Sequence, residues 1–169
     1  MKRLFLQLLT LAFATAGFCA EPARLLEKAN VLPLALEDAF QFRKTKTFLN
    51  DPVVYKPTVD EMISFERQRI NFGAVNQFDR RERYGHYFTF FWRSTRKTDL
   101  TVRLEYRQEN LGSYVQAQDK VYAAAKGNFK SDFKVVGDDY NKDGKITAWR
   151  ALLIENGKIV ALNQSFLWN

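Results

Sequence analysis

The feature that most constrains the fold is the dipeptide Asn156-Gly157, which joins two apolar-rich runs, residues 145–155 and 158–168. Asparagine followed by glycine favours the type I′ turn of a two-residue β-hairpin, because both residues accept positive φ. Such a turn would oppose Glu155 to Lys158 and Leu153 to Val160. Both faces of this hairpin would be largely apolar, so each must be covered by a sheet, a helix or a partner. The pattern therefore predicts a layered, β-rich domain.

Further strands are predicted upstream by a two-residue period of apolar side chains. Residues 84–93 carry aromatic side chains on both faces, and residues 100–107 alternate apolar with polar after a polar connection at 94–99. Residues 114–121 and 133–136 complete the set, although 123–125 could equally begin a helix. With the hairpin this gives a mainly β fold, an antiparallel immunoglobulin-like sandwich of about six to seven strands by strand count and spacing.

The segment before these strands, residues 21–73, is predicted to be helical and to pack on the sheet. Residues 23–30 and 36–42 have helical spacing and are separated by Pro33. A longer helix begins at Thr58, which forms a capping box with Glu61, and ends at Gly73. The predicted organisation is a signal segment at 1–20, this helical segment at 21–73 and a β-sandwich domain at 84–169.

The C-terminal region resembles the last hairpin of a known class of module. The residues that carry the resemblance are Gly144 to Arg150, the turn Asn156-Gly157-Lys158, and Phe166. They resemble the corresponding hairpin of immunoglobulin-like and fibronectin-III-like modules of bacterial envelope proteins. The resemblance covers about the last quarter of the chain and implies an architecture, not an activity.

The first residues have the layout of a secretory signal peptide. Met1-Lys2-Arg3 is positively charged, residues 4–16 carry no charge, and small residues follow at Ala16 and Ala20, the two candidate cleavage sites. We expect export to the periplasm or beyond the cell, with an uncleaved anchor as the alternative. Cys19, the only cysteine, stands where a lipoprotein would be acylated, but Phe18 replaces the small residue expected before it, so lipidation is the less favoured reading. Membrane attachment is expected only by one of these two routes.

The positive charge lies in the middle of the chain. Residues 64–107 contain 10 Lys and Arg against 5 Asp and Glu. Guanidinium groups beside aromatic side chains suit a polyanion such as an anionic envelope glycan, whereas export argues against nucleic acid. The alternative is that these side chains are solvated or paired. The candidate polyanion-binding residues are Arg67, Arg69, Arg80, Arg81, Arg83, Arg93, Arg96 and Lys97.

A second candidate site is the segment that begins at Asp139. Asp139, Asn141 and Asp143 precede Gly144 as in the first half of a calcium-binding loop. Arg150 stands where a bidentate carboxylate should close that loop, so either an ordinary turn or a weak calcium site is expected, and the missing ligand favours the turn. No other cofactor is indicated.

Catalytic motifs are absent from the sequence. His86 is the only histidine, and with at most one cysteine this excludes a His-rich zinc site and a Cys-His pair. We expect His86 to be a hydrogen-bonded histidine of the core or its rim. A carboxylate-dependent hydrolase would have to use Glu105, Asp138, Asp139 or Asp143.

These observations favour a non-catalytic exported domain used for binding or assembly at the cell envelope. Its partner would be an envelope protein or a second copy of the chain. The alternative is a binder of anionic envelope glycans through the arginine-rich region.

Overall fold

The computed structural model describes residues 23–26, 31–51 and 60–168; the predicted signal segment, Cys19 and Thr58 lie outside them. Within the described residues the protein is mainly β. The strands are β1 (Arg24–Leu26), β2 (Phe40–Asn50), β3 (Gly85–Gln108), β4 (Gln116–Val136), β5 (Ile146–Glu155) and β6 (Lys158–Gln164). The helices are α1 (Glu61–Asn71), α2 (Gln77–Arg81) and α3 (Asp138–Asp143).

The six strands form one antiparallel sheet. Five of them follow the order β1-β4-β3-β5-β6, and β2 lies off this path and pairs with β3. β2 pairs with the first half of β3. β5 pairs with the second half of β3, along the same edge of that strand. The long β3–β4 hairpin is therefore the centre of the sheet. The sheet curls into the shape of half a barrel.

The curl arises where the β3–β4 hairpin bends. Its register shifts between Ser94 and Thr98 and again between Thr98 and Leu100. Opposite this bend, Ala124 has a φ of 50° and Gly127 a φ of 104°. Such bulges bend a strand and increase its twist, so the two halves of the hairpin fold toward each other.

One apolar core fills the concave side of the curled sheet. The ring centroids of Phe88 and Phe90 lie 5.8 and 5.6 Å from that of Trp149 on β5. These contacts join the first half of β3 to the strand that pairs with its second half. The largest fully buried side chains include Phe88, Phe90, Trp92, Leu100, Val102, Leu104, Tyr106, Val135, Leu153 and Val160.

A second, smaller cluster covers the other face of the β5–β6 hairpin. Leu152, Ile154 and Ile159 form it, and Leu32 packs against them. Residues 33–37 run beside β6, where the Ala35 N–H donates to the Ile159 carbonyl at 2.8 Å. Both faces of the hairpin are covered, as its two apolar faces predicted.

The Asn156-Gly157 turn is confirmed, with φ values of 48° and 73° at the two positions. Glu155 pairs with Lys158 as predicted, but Leu153 pairs with Ala161 and not with Val160. A register shift between Leu153 and Ile154 is the reason. Because of it, the neighbours Val160 and Ala161 are both buried in the main core.

The predicted strand boundaries were too short. Residues 84–93 and 100–107 belong to one continuous strand, β3, and the polar segment 94–99 is its bend. Likewise 114–121 and 133–136 fall within or beside β4, so the alternative helix at 123–125 is wrong. Bulges let a strand continue through residues whose alternation is broken.

The helical prediction for residues 21–73 is correct only at its end. Residues 24–26 form β1 and residues 40–50 form β2, so the helical pieces predicted at 23–30 and 36–42 are wrong where the structure describes them, at 23–26 and 36–42. The later helix exists, but its N-cap is Asp60, whose carboxylate accepts from the Met62 N–H at 2.9 Å. The N-terminal segment thus contributes strands to the same sheet that the C-terminal hairpin joins.

Candidate binding site: the helical arm and the pocket beneath it

Residues 60–83 lie between β2 and β3 in the chain and contain α1 and α2; we call this segment the helical arm. Asp60 caps α1, and Asn76 with Asp79 forms a capping box at the start of α2. These side chains satisfy backbone N–H groups that a short helix leaves unpaired. The arm is therefore specified locally by its caps, and none of the residues in α1 or α2 is buried.

The arm is fastened to the sheet at one end. Asn50, at the end of β2, donates from its side-chain amide to the Asn71 side chain at 3.2 Å and to the Arg83 carbonyl at 2.9 Å. The Arg83 guanidinium in turn donates to the carbonyls of Ile70 and Phe72. The end of α1 is thus held by polar contacts to the ends of β2 and to the residues before β3.

Large apolar side chains of the arm are exposed to solvent. Met62, Phe65, Phe72, Val75 and Phe78 are exposed by 70, 60, 85, 88 and 70%. The first three lie on one stripe of α1 and its C-cap, at helical spacing. Aromatic side chains can each bury 150–250 Å², so the three phenylalanines alone expose on the order of 400 Å². An apolar surface of this size is typical of an interaction site.

A pocket of about 270 Å³ lies between α1 and the outer face of the sheet. Phe48 and Tyr87 lie on β2 and β3 beneath the helix, and Ile63 and Ile70 lie above them. Burial raises the pKa of Tyr87, so its hydroxyl remains protonated, and it donates to the Arg83 carbonyl at 2.8 Å. The remaining lining residues are Lys46, Thr47, Met62, Glu66, Arg69 and Thr89.

The predicted polyanion-binding residues fall into two groups. Arg67, Arg69, Arg80, Arg81 and Arg83 lie on the arm, whereas Arg93, Arg96 and Lys97 lie at the bend of β3. The extended strand from residue 85 to residue 93 separates the groups by roughly 26 Å. The structure does not bring all eight onto one surface.

Several of these arginines have structural partners. Arg69 pairs with Glu66 at 2.7 Å, and Arg83 holds the end of α1. Arg96 bridges Glu37 at 3.0 Å and Glu155 on β5. Those hydrogen bonds raise the pKa of Arg96 and, on the other partner, lower the pKa of Glu155. Arg80, Arg81, Arg93 and Lys97 are exposed.

Sequence reasoning missed a row of charges on the convex face of the sheet. Residues 101, 103, 105 and 107 were expected to form a wet face, but Glu105 is buried and pairs with Arg150. Arg103 and Asp119 form a two-bond pair at 2.9 and 3.0 Å, with side chains only 12 and 6% exposed. The alternation pattern located these residues on one face but gave no sign that the face is covered.

Trp168 covers part of this face. Its ring lies 4.7 Å from the guanidinium carbon of Arg107 and 5.0 Å from that of Arg150. The indole is therefore held between two cations, a favourable arrangement for an aromatic ring. The covered charges hold strands together and are not open to a ligand.

His86 is a hydrogen-bonded, half-buried histidine at the rim of the core, one of the two positions predicted. Its Nε2 accepts from the Ile146 N–H at 3.2 Å, and its ring stacks on Phe88. Burial, and secondarily the charge of Lys145, lowers the pKa of His86 to about 4. The imidazole is therefore neutral, and the hydrogen bond that its Nε2 accepts from Ile146 links β3 to β5.

The residues of the predicted calcium loop lie on helix α3 or at its end. On this helix Asp139 and Asp143 are four positions apart and share a face, whereas Asn141 lies on another side, so the three side chains do not converge on one point. The Asp143 carboxylate accepts from the Gln116 side chain at 3.4 Å, while Asp138 pairs with Lys142 at 2.8 Å. In the described parts of the chain, no group of three His, Cys, Asp or Glu residues could hold a metal ion.

Among the residues that the structure describes, no helix is long and apolar enough to cross a membrane. No protein-family model matches the chain, and searches of curated proteins and of solved structures gave no match either.

Proposed function

We propose that this protein is a non-catalytic exported domain that binds or assembles with another component of the cell envelope through its helical arm. The observation that carries the proposal is the exposure of Met62, Phe65, Phe72, Val75 and Phe78 on the helical arm, whose two helices contain no buried residue. Keeping such side chains in water is unfavourable, and a partner that covers them recovers their burial free energy.

The rest of the molecule supports a scaffold role. Three carboxylates of low exposure, Glu105, Asp119 and Glu155, are each paired with an arginine across strands. A carboxylate held in this way stabilises the sheet and is poorly placed to exchange protons with a substrate. This argues for binding over hydrolysis.

The proposal includes two further points from the sequence. The N-terminal residues support export, which places the partner in the envelope. The packing of Phe88 and Phe90 on Trp149 supports a relation to immunoglobulin-like sandwiches, in which two β layers enclose the core. In such a relation, the continuous β3–β4 hairpin would have to contribute to both β layers.

The arm is tested by replacing Phe65, Phe72 and Phe78 together with serine in tagged protein. We expect the variant to keep its melting temperature, because these side chains are exposed, and to lose at least tenfold in recovery of the envelope component captured by wild type. The matched control is Phe166→Ser with Leu167→Ser, which removes exposed apolar side chains outside the arm. Equal capture by wild type and the arm variant would contradict the proposal.

A second candidate, binding of an anionic envelope glycan, is favoured by one observation. Arg80, Arg81 and Phe78 are all exposed on the short helix α2, and Arg81 lies three positions after Phe78, the spacing at which helix side chains are neighbours. Affinity for a polyanion should fall steeply as salt rises, because bound cations release counterions.

The glycan candidate is tested with Arg80→Gln/Arg81→Gln on an anionic glycan array at two salt concentrations. Arg83 is kept, because it holds the end of α1. The control is Arg93→Gln/Lys97→Gln, which removes the same charge at the bend. Weak, salt-insensitive signals from wild type and both variants would exclude this function and leave the apolar arm surface as the binding site.

A further inference from the structure

We propose that the pocket beneath α1 binds a single acyl chain that carries an anionic head group. Met62 lies at the edge of this site, and the other exposed apolar side chains of the arm do not line it. Nothing in the proposed assembly function requires the pocket. Its argument rests on the shape of the cavity, on the residues that line it and on the charge at its edge.

The inner walls are apolar. Phe48 on β2 and Tyr87 on β3 pair with each other across the two strands and provide the floor. Ile63 and Ile70 lie two helical turns apart on α1 and provide the roof. All four side chains are half-buried, so this part of the pocket is sheltered from bulk water.

The edge of the pocket is polar and exposed. Lys46, Thr47, Met62 and Arg69 are the exposed lining residues, and Glu66 lies between the last two on α1. Arg69 is already paired with Glu66 at 2.7 Å, so the lining has an excess of one positive charge, on Lys46. One apolar interior with one uncompensated cation at the edge is complementary to an amphiphile with a single negative charge.

The size of the cavity limits the ligand. A volume of about 270 Å³ lies near the lower end of the range for small-molecule pockets. It corresponds to roughly nine water molecules of the liquid, so about eight or nine chain atoms would fill it. The structure therefore favours a chain near octanoate in length over a multi-ring compound.

The test is calorimetric titration of the purified protein with hexanoate, octanoate, decanoate and dodecanoate below their micelle concentrations. Each added methylene should tighten Kd about fourfold until the pocket is full, after which the gain should stop. Octylammonium should bind at least tenfold more weakly than octanoate, because its head group is repelled by Lys46. No binding, or affinity that keeps rising through dodecanoate, would overturn the proposal.

Variants locate the site. Ile70→Trp should fill the pocket and abolish octanoate binding, whereas Ile70→Val should leave it within about threefold. Lys46→Gln should weaken octanoate binding threefold to tenfold, while Lys44→Gln, which changes the same charge on the same strand outside this pocket, should not. Unchanged octanoate binding by folded Ile70→Trp would place the ligand elsewhere. If Ile70→Trp fails to fold, two measurements still test the proposal. They are the chain-length series on wild type and the comparison of Lys46→Gln with Lys44→Gln.

Two sources could supply such a chain, a free fatty acid or a lipid within a membrane. Vesicles of phosphatidylglycerol, with phosphatidylcholine vesicles as the control, separate them. Octanoate binding that competes with phosphatidylglycerol vesicles assigns the site to lipid, and octanoate binding without vesicle binding assigns it to free acid.

Discussion

At the scale of single residues, His86 makes stability depend on pH. Its pKa is lowered from 6.5 to about 4 by burial. The unfolded chain therefore binds a proton below pH 6.5 that the folded chain takes up only near pH 4. The stability that neutral His86 provides is fully present above pH 6.5 and is lost as the pH falls toward 4.

We expect the free energy of unfolding to fall by about 2 to 3 kcal/mol through this group between pH 7.5 and pH 4.5. Urea unfolding of wild type and of His86→Gln at both pH values checks it. Glutamine retains an acceptor for the Ile146 N–H but does not titrate. Both proteins losing the same stability on acidification would show that His86 is not responsible.

The Arg103–Asp119 pair gives a second prediction at this scale. Removing one member leaves a buried charge without its partner, so Arg103→Met should cost about 3 kcal/mol or more. The double variant Arg103→Met/Asp119→Leu should regain at least half of that loss, because no buried charge remains. Denaturant unfolding of wild type, both single variants and the double variant measures these values. A double variant as unstable as the sum of its single changes would refute the interpretation.

At the scale of elements, the turn between β5 and β6 is set by two residues with positive φ. Replacing Gly157, at a φ of 73°, with valine puts a β-branched residue where glycine is favoured. We expect a loss on the order of 1 to 3 kcal/mol. Asn156→Gly is the control, since glycine accepts the same conformation. A thermal melt of Gly157→Val that matches wild type would contradict the turn's contribution.

Helix α3 gives the other prediction at this scale. Calcium could be bound by Asp139, Asn141 and Asp143 together only if the helix unwound, because Asn141 does not lie on the face that Asp139 and Asp143 share. We therefore expect any dissociation constant to be no better than roughly 10⁻⁴ M. Titration calorimetry with calcium measures this directly. A micromolar constant that is lost in Asp139→Asn/Asp143→Asn would reverse the prediction.

The elements also show what the sequence could and could not predict. The final hairpin was predictable because Asn156-Gly157 fixes a turn by local conformation alone. β2 was mistaken for a helix because a register shift between Phe42 and Lys44 breaks its alternation after Phe40 and Phe42. The bend of β3 was mistaken for a connection for the same reason.

The candidate site was predicted less well than the fold. The arginines were recognised by composition, but the ion pairs of Arg96 depend on Glu37 and Glu155, which come from distant parts of the chain. The pocket beneath α1 is lined in part by β2, whose residues were predicted to lie in a helical segment. Only the capped helix itself, from Asp60 to Asn71, carried a local signal.

At the scale of the whole molecule, Trp168 packs on the convex face of the sheet and holds β3 and β5 together. It is nearly buried, and its ring touches the guanidinium groups of Arg107 on β3 and Arg150 on β5. We expect Trp168→Ala to cost about 2 to 4 kcal/mol, because it removes a large packed side chain and uncovers two cations. Phe166→Ala, at an exposed position nearby, is the control. Equal melting temperatures for the two variants would show that the ring does not fasten the sheet.

The pairing of residues 33–37 with β6 also bears on the order of folding. Leu34 meets Ile159 in a parallel bridge, and Arg96 joins Glu37 to Glu155, so an early segment reaches its partners only after most of the chain is present. Contacts so distant in sequence carry a large loop-closure cost and slow the search for the native state to the millisecond-to-second range. A chain emerging gradually from a ribosome or a translocation channel would hold β2 and the first half of β3 without their final neighbours. Chaperones that bind exposed strands would have their longest opportunity in that interval.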